Sequence, residues 1–370
     1  MDGSTDSEGA RPGNPHPGLA TVPPVNPTPR RPRRRSATRS VTLADVATAA
    51  GVSPQTVSRA LRDREAVAVE TYERVEQAVA ATGYVPNLAA SNLASNRSRA
   101  VAAIIPLMNA SVFAETVHAF SETLTPHGYQ IFVGSTEYRP DQEEQLIRSF
   151  LGRRPDGLLV VGTEHTPGTR ALLTTAAIPV VETWGWTDDP VDLLIGFSNA
   201  AAAAELVRHL VDRGRRRLVY AGALQSGDFR AAERRDGFAA AVRELLAVEP
   251  RIVAADDLSV SMDTGVALLD RALARYPDTD AVVFASDVFA AGALLACTRR
   301  GIPVPERLAI TGFGDFEVSA HLVPSLTTVA VPTQEIGTLA GTLLLDRMQR
   351  RPVAEPVRDV GFRLVQRESS

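Results

Sequence analysis

The 370-residue sequence has one cysteine, Cys297, and no lysine. A lone thiol excludes an intramolecular disulfide and a cysteine metal cluster, which fits a reducing compartment. With lysine absent, all 39 basic residues are arginine. That is a chain-wide bias, so arginine richness alone does not argue for a nucleic-acid partner. No apolar run reaches the roughly 20 residues needed to cross a bilayer, so no membrane partner is expected. The opening MDGSTDSEGARPGNPHPG carries acids and prolines where an export signal needs a basic start and an apolar stretch. A cytoplasmic protein is the expectation. Catalytic signatures are missing as well: there is no G-x-G-x-x-G opening a helix, no phosphate loop and no G-x-S-x-G nucleophile turn. The six histidines, at 16, 118, 127, 165, 209 and 321, are scattered without metal-ligand spacing. Neither an enzyme, a metal site nor a cofactor is expected.

What is present is an ordinary globular balance, 44% apolar and 22% charged, on a chain long enough for two or three domains. The net charge of −4 hides a split. Residues 30–99 hold twelve arginines against six acids, whereas residues 100–370 carry a net −8. A basic module is joined to an acidic one, and basic surfaces attract polyanions. Residues 1–29 contain seven prolines and almost no large apolar side chains, and RRPRRRSATR follows. Residues 1–40 are therefore expected to be a disordered tail whose arginines are either a solvated charge run or a DNA arm, loose arginines gaining affinity only through phosphate neutralisation.

From Thr42 the pattern is helical. Thr42 can cap a helix with Leu43, Val46, Ala47 and Ala50 inward, and Gly51 ends it. Ser53 caps a second helix with Val57, Ala60 and Leu61 inward, and a third runs from Glu70 to Thr82, closed by Gly83. Two short helices about a tight turn, with a third to cover them, form a helix-turn-helix arrangement. Beyond residue 100 the rhythm becomes strand then helix. Apolar runs such as VAAIIP, YQIFVG, GLLVVG, IPVVE, RRLVYAG, DAVVFAS and LAITGFG alternate with helical stretches such as 142–152, 199–213, 231–247 and 264–275. Buried strands separated by helices indicate parallel sheets with helices on each face, and ligands at the C-terminal strand ends.

In GVSPQTVSRAL, residues 51–61, the side chains of Pro54, Gln55, Ser58 and Arg59 point away from the apolar face. Amide, hydroxyl and guanidinium groups on one helix suit the donor and acceptor pattern of the DNA major groove. VTLADVATAAGVSPQTVSRALRD, continuing into VEQAVAATGYVPNLAASNLAS, resembles the headpiece and hinge of lactose-repressor (LacI) family transcription factors over residues 41–95. The resemblance implies a DNA-binding domain at 41–86 and a hinge helix and linker at 87–99. It implies backbone support from Thr42 and Leu43, specificity at Pro54, Gln55 and Arg59, and phosphate or flanking-base contacts from Ser53, Thr56 and Ser58. Asn87 would open the hinge helix, Ala90 would approach the minor groove, and Leu93 would either wedge a central base step or pack in the core. Pro54 stands where the best-known member has tyrosine, which bears on the operator sequence.

The resemblance continues through DGLLVVG, ERRDGF, SDVFAAGAL, ITGFGD and VPSLTTV. It implies that residues 100–370 are an effector-binding and dimerisation core of the periplasmic-binding-protein type, two doubly wound α/β subdomains. The N-subdomain would span about 100–197 and 333–360, the C-subdomain about 198–328 and 361–370. HGYQIF, TEHTPGT, IPVVE and DLLIGFSNAAAA are similar to the gluconate-utilisation repressor branch. Arg230 and Arg234 lie four residues apart, and if Asp228 starts their helix both project near its positively polarised end, suiting a carboxylate or phosphate. Arg234 also matches the family's ligand-contacting arginine; Arg230 either joins it or balances surface charge. Where sugar-sensing members commonly have an aspartate after the aromatic of G-Y-D, this chain has Gly314, then Asp315, which can still point inward. Losing that carboxylate favours an anionic ligand. By motif position, Phe113, Thr163, His165, Glu182, Ser286 and Asp287 join the candidate pocket. Asp287 either caps its helix or faces ligand, and Glu182 beside an anion would need hydroxyl partners.

The expected function is a homodimeric repressor at the nucleoid that binds near-palindromic operator DNA and responds to a sugar or sugar acid. A neutral sugar or nucleobase effector is the alternative. A transport-linked sugar-binding protein would have no use for residues 41–95, and an enzyme lacks its motifs.

Overall fold

The structure is a computed structural model that describes residues 41–85, 98–222, 227–255 and 259–370. The chain divides into two units, residues 1–86 and 87–370. The expected tail (1–40) and most of the expected hinge, with Asn87, Ala90 and Leu93, lie outside the described residues.

The first unit has helices α1 (Leu43–Ala50), α2 (Pro54–Arg62) and α3 (Val69–Thr82). Thr42 and Asp45 satisfy each other at the start of α1: the Thr42 backbone N–H donates to Asp45 Oδ2 at 2.8 Å, and the Asp45 N–H to Thr42 Oγ1 at 3.4 Å. The chain leaves α1 through Gly51, at φ +65°. It enters α2 at Ser53, whose Oγ accepts the Thr56 N–H at 3.1 Å. Proline at the first position of α2 costs nothing, because its missing N–H would have no intrahelical partner there. Val46, Ala47, Ala50, Val57, Ala60, Val75 and Ala78 form the core of this unit. Leu61 is not among them: at 36% exposure it corrects the inward expectation. A nine-residue helix offers α1 and α3 one narrow stripe, and Leu61, a turn beyond Val57, falls at its rim.

The second unit contains two six-stranded sheets. Strands β1 (Ala100–Ile105), β2 (Gln130–Ser135), β3 (Gly157–Val161), β4 (Val180–Thr183), β5 (Leu193–Gly196) and β11 (Val357–Asp359) form one, in the order 11-5-4-3-1-2. Strands β6 (Leu218–Gly222), β7 (Arg251–Ala254), β8 (Ala281–Phe284), β9 (Ala309–Gly314), β10 (Thr327–Ala330) and β12 (Arg363–Val365) form the other, in the order 12-10-9-8-6-7. All pairs are parallel except β10 with β12. The inner strands β3, β4, β5, β6 and β8 are buried throughout, as strands covered on both faces must be.

Helices α4 (Ser111–Leu124), α5 (Pro140–Leu151), α6 (Pro167–Thr175) and α11 (Thr333–Met348) accompany the first sheet. Helices α7 (Asn199–Asp212), α8 (Phe229–Leu246), α9 (Met262–Arg275) and α10 (Asp287–Arg300) accompany the second. The chain passes between sheets three times: from β5 into α7, from β10 into α11, and from β11 into β12. Two lobes joined by three crossovers leave a cleft where the C-terminal ends of the strands face each other.

Helices α7 and α8 cross at Gly237, where a methyl group would run into the Ala200 carbonyl. Backbone cannot give way as a flexible side chain can. Gly237→Ala is expected to cost about 1–3 kcal/mol of stability, read as a lower urea midpoint with the secondary-structure signal of the folded state retained.

Candidate functional sites: an exposed helix face and an interlobe cleft

On α2, burial of Val57 and Ala60 leaves Pro54, Gln55 and Arg59 exposed and Thr56 and Ser58 half-buried. This face offers an amide, a hydroxyl and a guanidinium with its apolar row turned inward. Ser53 and Thr56 are partly engaged in the cap, their hydroxyls 2.9 Å apart. The Thr42 hydroxyl donates to Asp45 Oδ2 at 2.7 Å, and Leu43 packs half-buried against the headpiece core.

In the second unit a cleft of about 210 Å³ lies between the lobes. Among the expected residues, Phe113, Arg230, Arg234 and Ser286 line it. Asp228 caps α8, its Oδ1 accepting the Ala231 N–H at 3.1 Å. Both arginines therefore sit in the first two turns, where the helix dipole is positive. The Arg234 guanidinium lies over the Phe313 ring, its carbon 4.3 Å from the ring centroid. One terminal nitrogen donates to Asn199 Oδ1 at 2.6 Å, while the buried Nε has no hydrogen-bond partner. Arg230 reaches across to the first lobe. Its Nη1 donates to the Val161 carbonyl at 3.2 Å, and its guanidinium carbon lies 5.5 Å from the Phe113 ring centroid and 6.0 Å from that of Tyr138. Among the described residues, the cleft's ionisable lining is these two guanidiniums, the Asp228 carboxylate 3.9 Å from Arg230, and the Tyr138 phenol. Burial pushes that phenol well above its usual range, so it stays a neutral hydroxyl.

Sequence reasoning missed most of the aromatic walls: Tyr138, Trp184, Phe289, Phe313 and Phe316. Trp184 packs edge-on against Phe113, centroids 5.0 Å apart, and against Phe197 at 6.1 Å. The signal was available, since aromatics make up only 5% of the chain, and WGW directly follows strand β4.

Five expected residues are turned elsewhere. Asp287 is fully buried; it accepts from Thr328 Oγ1 at 2.6 Å, Ser319 Oγ at 2.8 Å and the Phe316 N–H at 2.9 Å. Burial pushes its carboxyl up to about 6 against the pull of those donors. Asp315 is held by Arg367 at 2.7 Å and is absent from the cleft lining. Thr163 borders a separate cavity of about 40 Å³. His165 and Glu182 sit behind the first lobe's rim. The His165 Nδ1 is 2.9 Å from Glu143 Oε1 and its Nε2 3.3 Å from Glu182 Oε1, with 1% of the ring exposed. Glu182 also accepts the Val191 N–H at 2.5 Å. Motif position marks a strand end, whereas long-range partners decide which way a side chain turns.

Burial opposes a charge on the His165 ring, but the two glutamates outweigh it and hold the pKa up, at about 9. The ring of the unfolded chain releases its proton near 6.5, so the triad's stabilisation is fully present below pH 6.5 and is lost as pH rises through 9. Urea midpoints of the unmodified chain are expected to fall over that window. His165→Gln should lower the midpoint at neutral pH and flatten the decline; a variant with an equally steep decline would contradict the assignment.

Known proteins match both units. Residues 42–87 match the model for bacterial regulatory proteins of the lacI family, and residues 207–370 that for a periplasmic binding protein-like domain. The HTH-type transcriptional regulator GntR of Pseudomonas aeruginosa is 38% identical over 329 residues, covering 89% of this chain and 95% of its own. A LacI-family transcriptional regulator from Silicibacter pomeroyi has a solved structure at TM-score 0.84 and 34% identity, covering 89% of this chain and 99% of that one. A solved lac repressor dimer bound to operator and the anti-inducer ONPF matches at TM-score 0.76 and 25% identity, covering 90% of this chain and 99% of that one. The helix-turn-helix headpiece and the two-lobed α/β core thus have counterparts along nearly the whole chain, and the protein belongs to the lacI family of bacterial transcriptional regulators.

Proposed function

We propose that this regulator is a homodimeric repressor of sugar-acid catabolism, and that its effector is a sugar acid bound between the lobes. The observation that carries the reading is the pair of buried guanidiniums, Arg230 and Arg234, set against one carboxylate among the described residues of an aromatic-walled cleft. An anion there gains charge-assisted hydrogen bonds and the field of the α8 N-terminus in surroundings poor in water. Arg234 has a buried Nε to offer. The rings of Phe113 and Trp184, packed edge to face, give the C–H groups of a sugar chain an apolar wall.

Through the exposed face of α2, each protomer reads one half of a near-palindromic operator, because two-fold protein symmetry calls for matching half-sites in successive major grooves. Arg59 and Gln55 carry base readout, and Thr42 with Ser53 supports backbone contact. The acid changes the balance between lobe orientations, and residues 87–99 pass the change to the headpieces. A coupling of about 1–3 kcal/mol is enough to shift operator occupancy several-fold.

Arg234→Ala is expected to abolish the response of operator binding to gluconate, measured by fluorescence anisotropy on labelled operator. Affinity without ligand should stay within about twofold, since the headpiece is untouched. A variant that responds at the same gluconate concentration as the unmodified chain would overturn the reading.

A further inference from the structure

Strand β9 ends within GFGDF, residues 312–316, and this short run shapes what the second lobe shows to the cleft. Gly314 has φ +125°, a conformation that side chains rarely adopt. A Cβ built there would lie 2.5 Å from Phe316 Cε1 and 2.8 Å from its Cδ1. The ring of Phe316 therefore occupies the space that a side chain at 314 would need. Gly312 serves a second close approach, since a side chain there would strike the Asp287 carboxylate. That carboxylate is committed to Phe316 N–H, Ser319 and Thr328. Asp315, the one acid of the run, is paired with Arg367. Asp287 and Asp315 thus serve the fold, and an aromatic ring stands in the cleft where an acceptor could have been.

We infer that Phe316, seated on Gly314 and held by Asp287, is a specificity-determining residue that makes the cleft discriminate for acids and against neutral sugars. This inference rests on the sugar-acid reading and deepens it. A ligand hydroxyl that meets the Phe316 ring loses water without gaining an acceptor. An acid is less affected, because its recognition lies with the arginines. An apolar, uncharged wall also leaves the field of Arg234 unopposed on that side, whereas a carboxylate there would cancel it. Asp287 is a positioning residue: it touches the backbone of Phe316 and acts on ligand only through it.

The test compares gluconate and glucose by calorimetry on the full chain, unmodified and as Phe316→Leu and Phe316→Asn. The unmodified chain is expected to prefer gluconate. Phe316→Leu, which keeps an apolar wall, should hold the gluconate-to-glucose affinity ratio within about threefold, and Phe316→Asn should lower it about tenfold or more. Asp287→Asn keeps the shape of the buried carboxylate, and it should move the ratio the same way by about threefold. This variant stands in if Phe316→Asn does not fold. A structural weakening lowers both affinities together, so an unchanged ratio in folded Phe316→Asn, or in Asp287→Asn in its place, overturns the inference alone. Glucose bound by the unmodified chain as tightly as gluconate overturns the sugar-acid reading and this inference together.

Discussion

A buried guanidinium between two lobes is the constraint on which the core depends. Arg234 cannot be neutralised, so its charge must be satisfied where it stands. It is held by the face of Phe313 and by Asn199. Asn199 opens α7 at the first crossover and donates its amide to the Trp184 carbonyl at 3.0 Å. The Trp184 indole donates to Thr116 Oγ1 at 3.2 Å, and that hydroxyl lies 3.2 Å from the carbonyl of Thr333, where α11 begins after the second crossover. A charge in the cleft is thus connected by hydrogen bonds to two of the three segments about which the lobes can turn. A ligand that draws on Arg234 pulls on that chain of contacts directly.

Arg230 does different work. From the first turn of α8 it spans to Val161 on the opposite lobe, which ties the lobes across the mouth of the cleft. An acid entering beside it offers the same donor a charged acceptor in place of a neutral carbonyl, a stronger bond. The two arginines divide the task between them: one is anchored at the crossovers, the other bridges the opening.

Much of the architecture was legible because local rules and global fold agree. In the headpiece, Thr42, Gly51, Ser53 and Gly83 punctuate helices whose apolar periodicity is strong. In the core, the buried runs of β3, β6 and β8 could be read as inner strands. Short strands such as β10, β11 and β12 were not named, since three or four residues carry too little pattern. The cleft was legible in part. Asp228 could be read as a cap, and that put Arg230 and Arg234 on one face. For Asp287, Asp315 and His165 the sequence leaves open whether they face ligand, because their partners are distant in sequence: Thr328 is 41 residues from Asp287, Arg367 is 52 from Asp315, and Glu143 is 22 from His165. Sequence spacing marks which residues approach a site, but packing between lobes and helices chooses those that face it.

Central to this account is that a carboxylate, and not merely a polyol chain, is what the two arginines receive. Gluconate and glucitol differ only at the terminal carbon, so the thermal midpoint of the purified chain with each in turn isolates that one group. A ligand that binds the folded state alone raises the midpoint by mass action. The account predicts a concentration-dependent rise with gluconate and none with glucitol at equal concentration; an equal rise with both would contradict it.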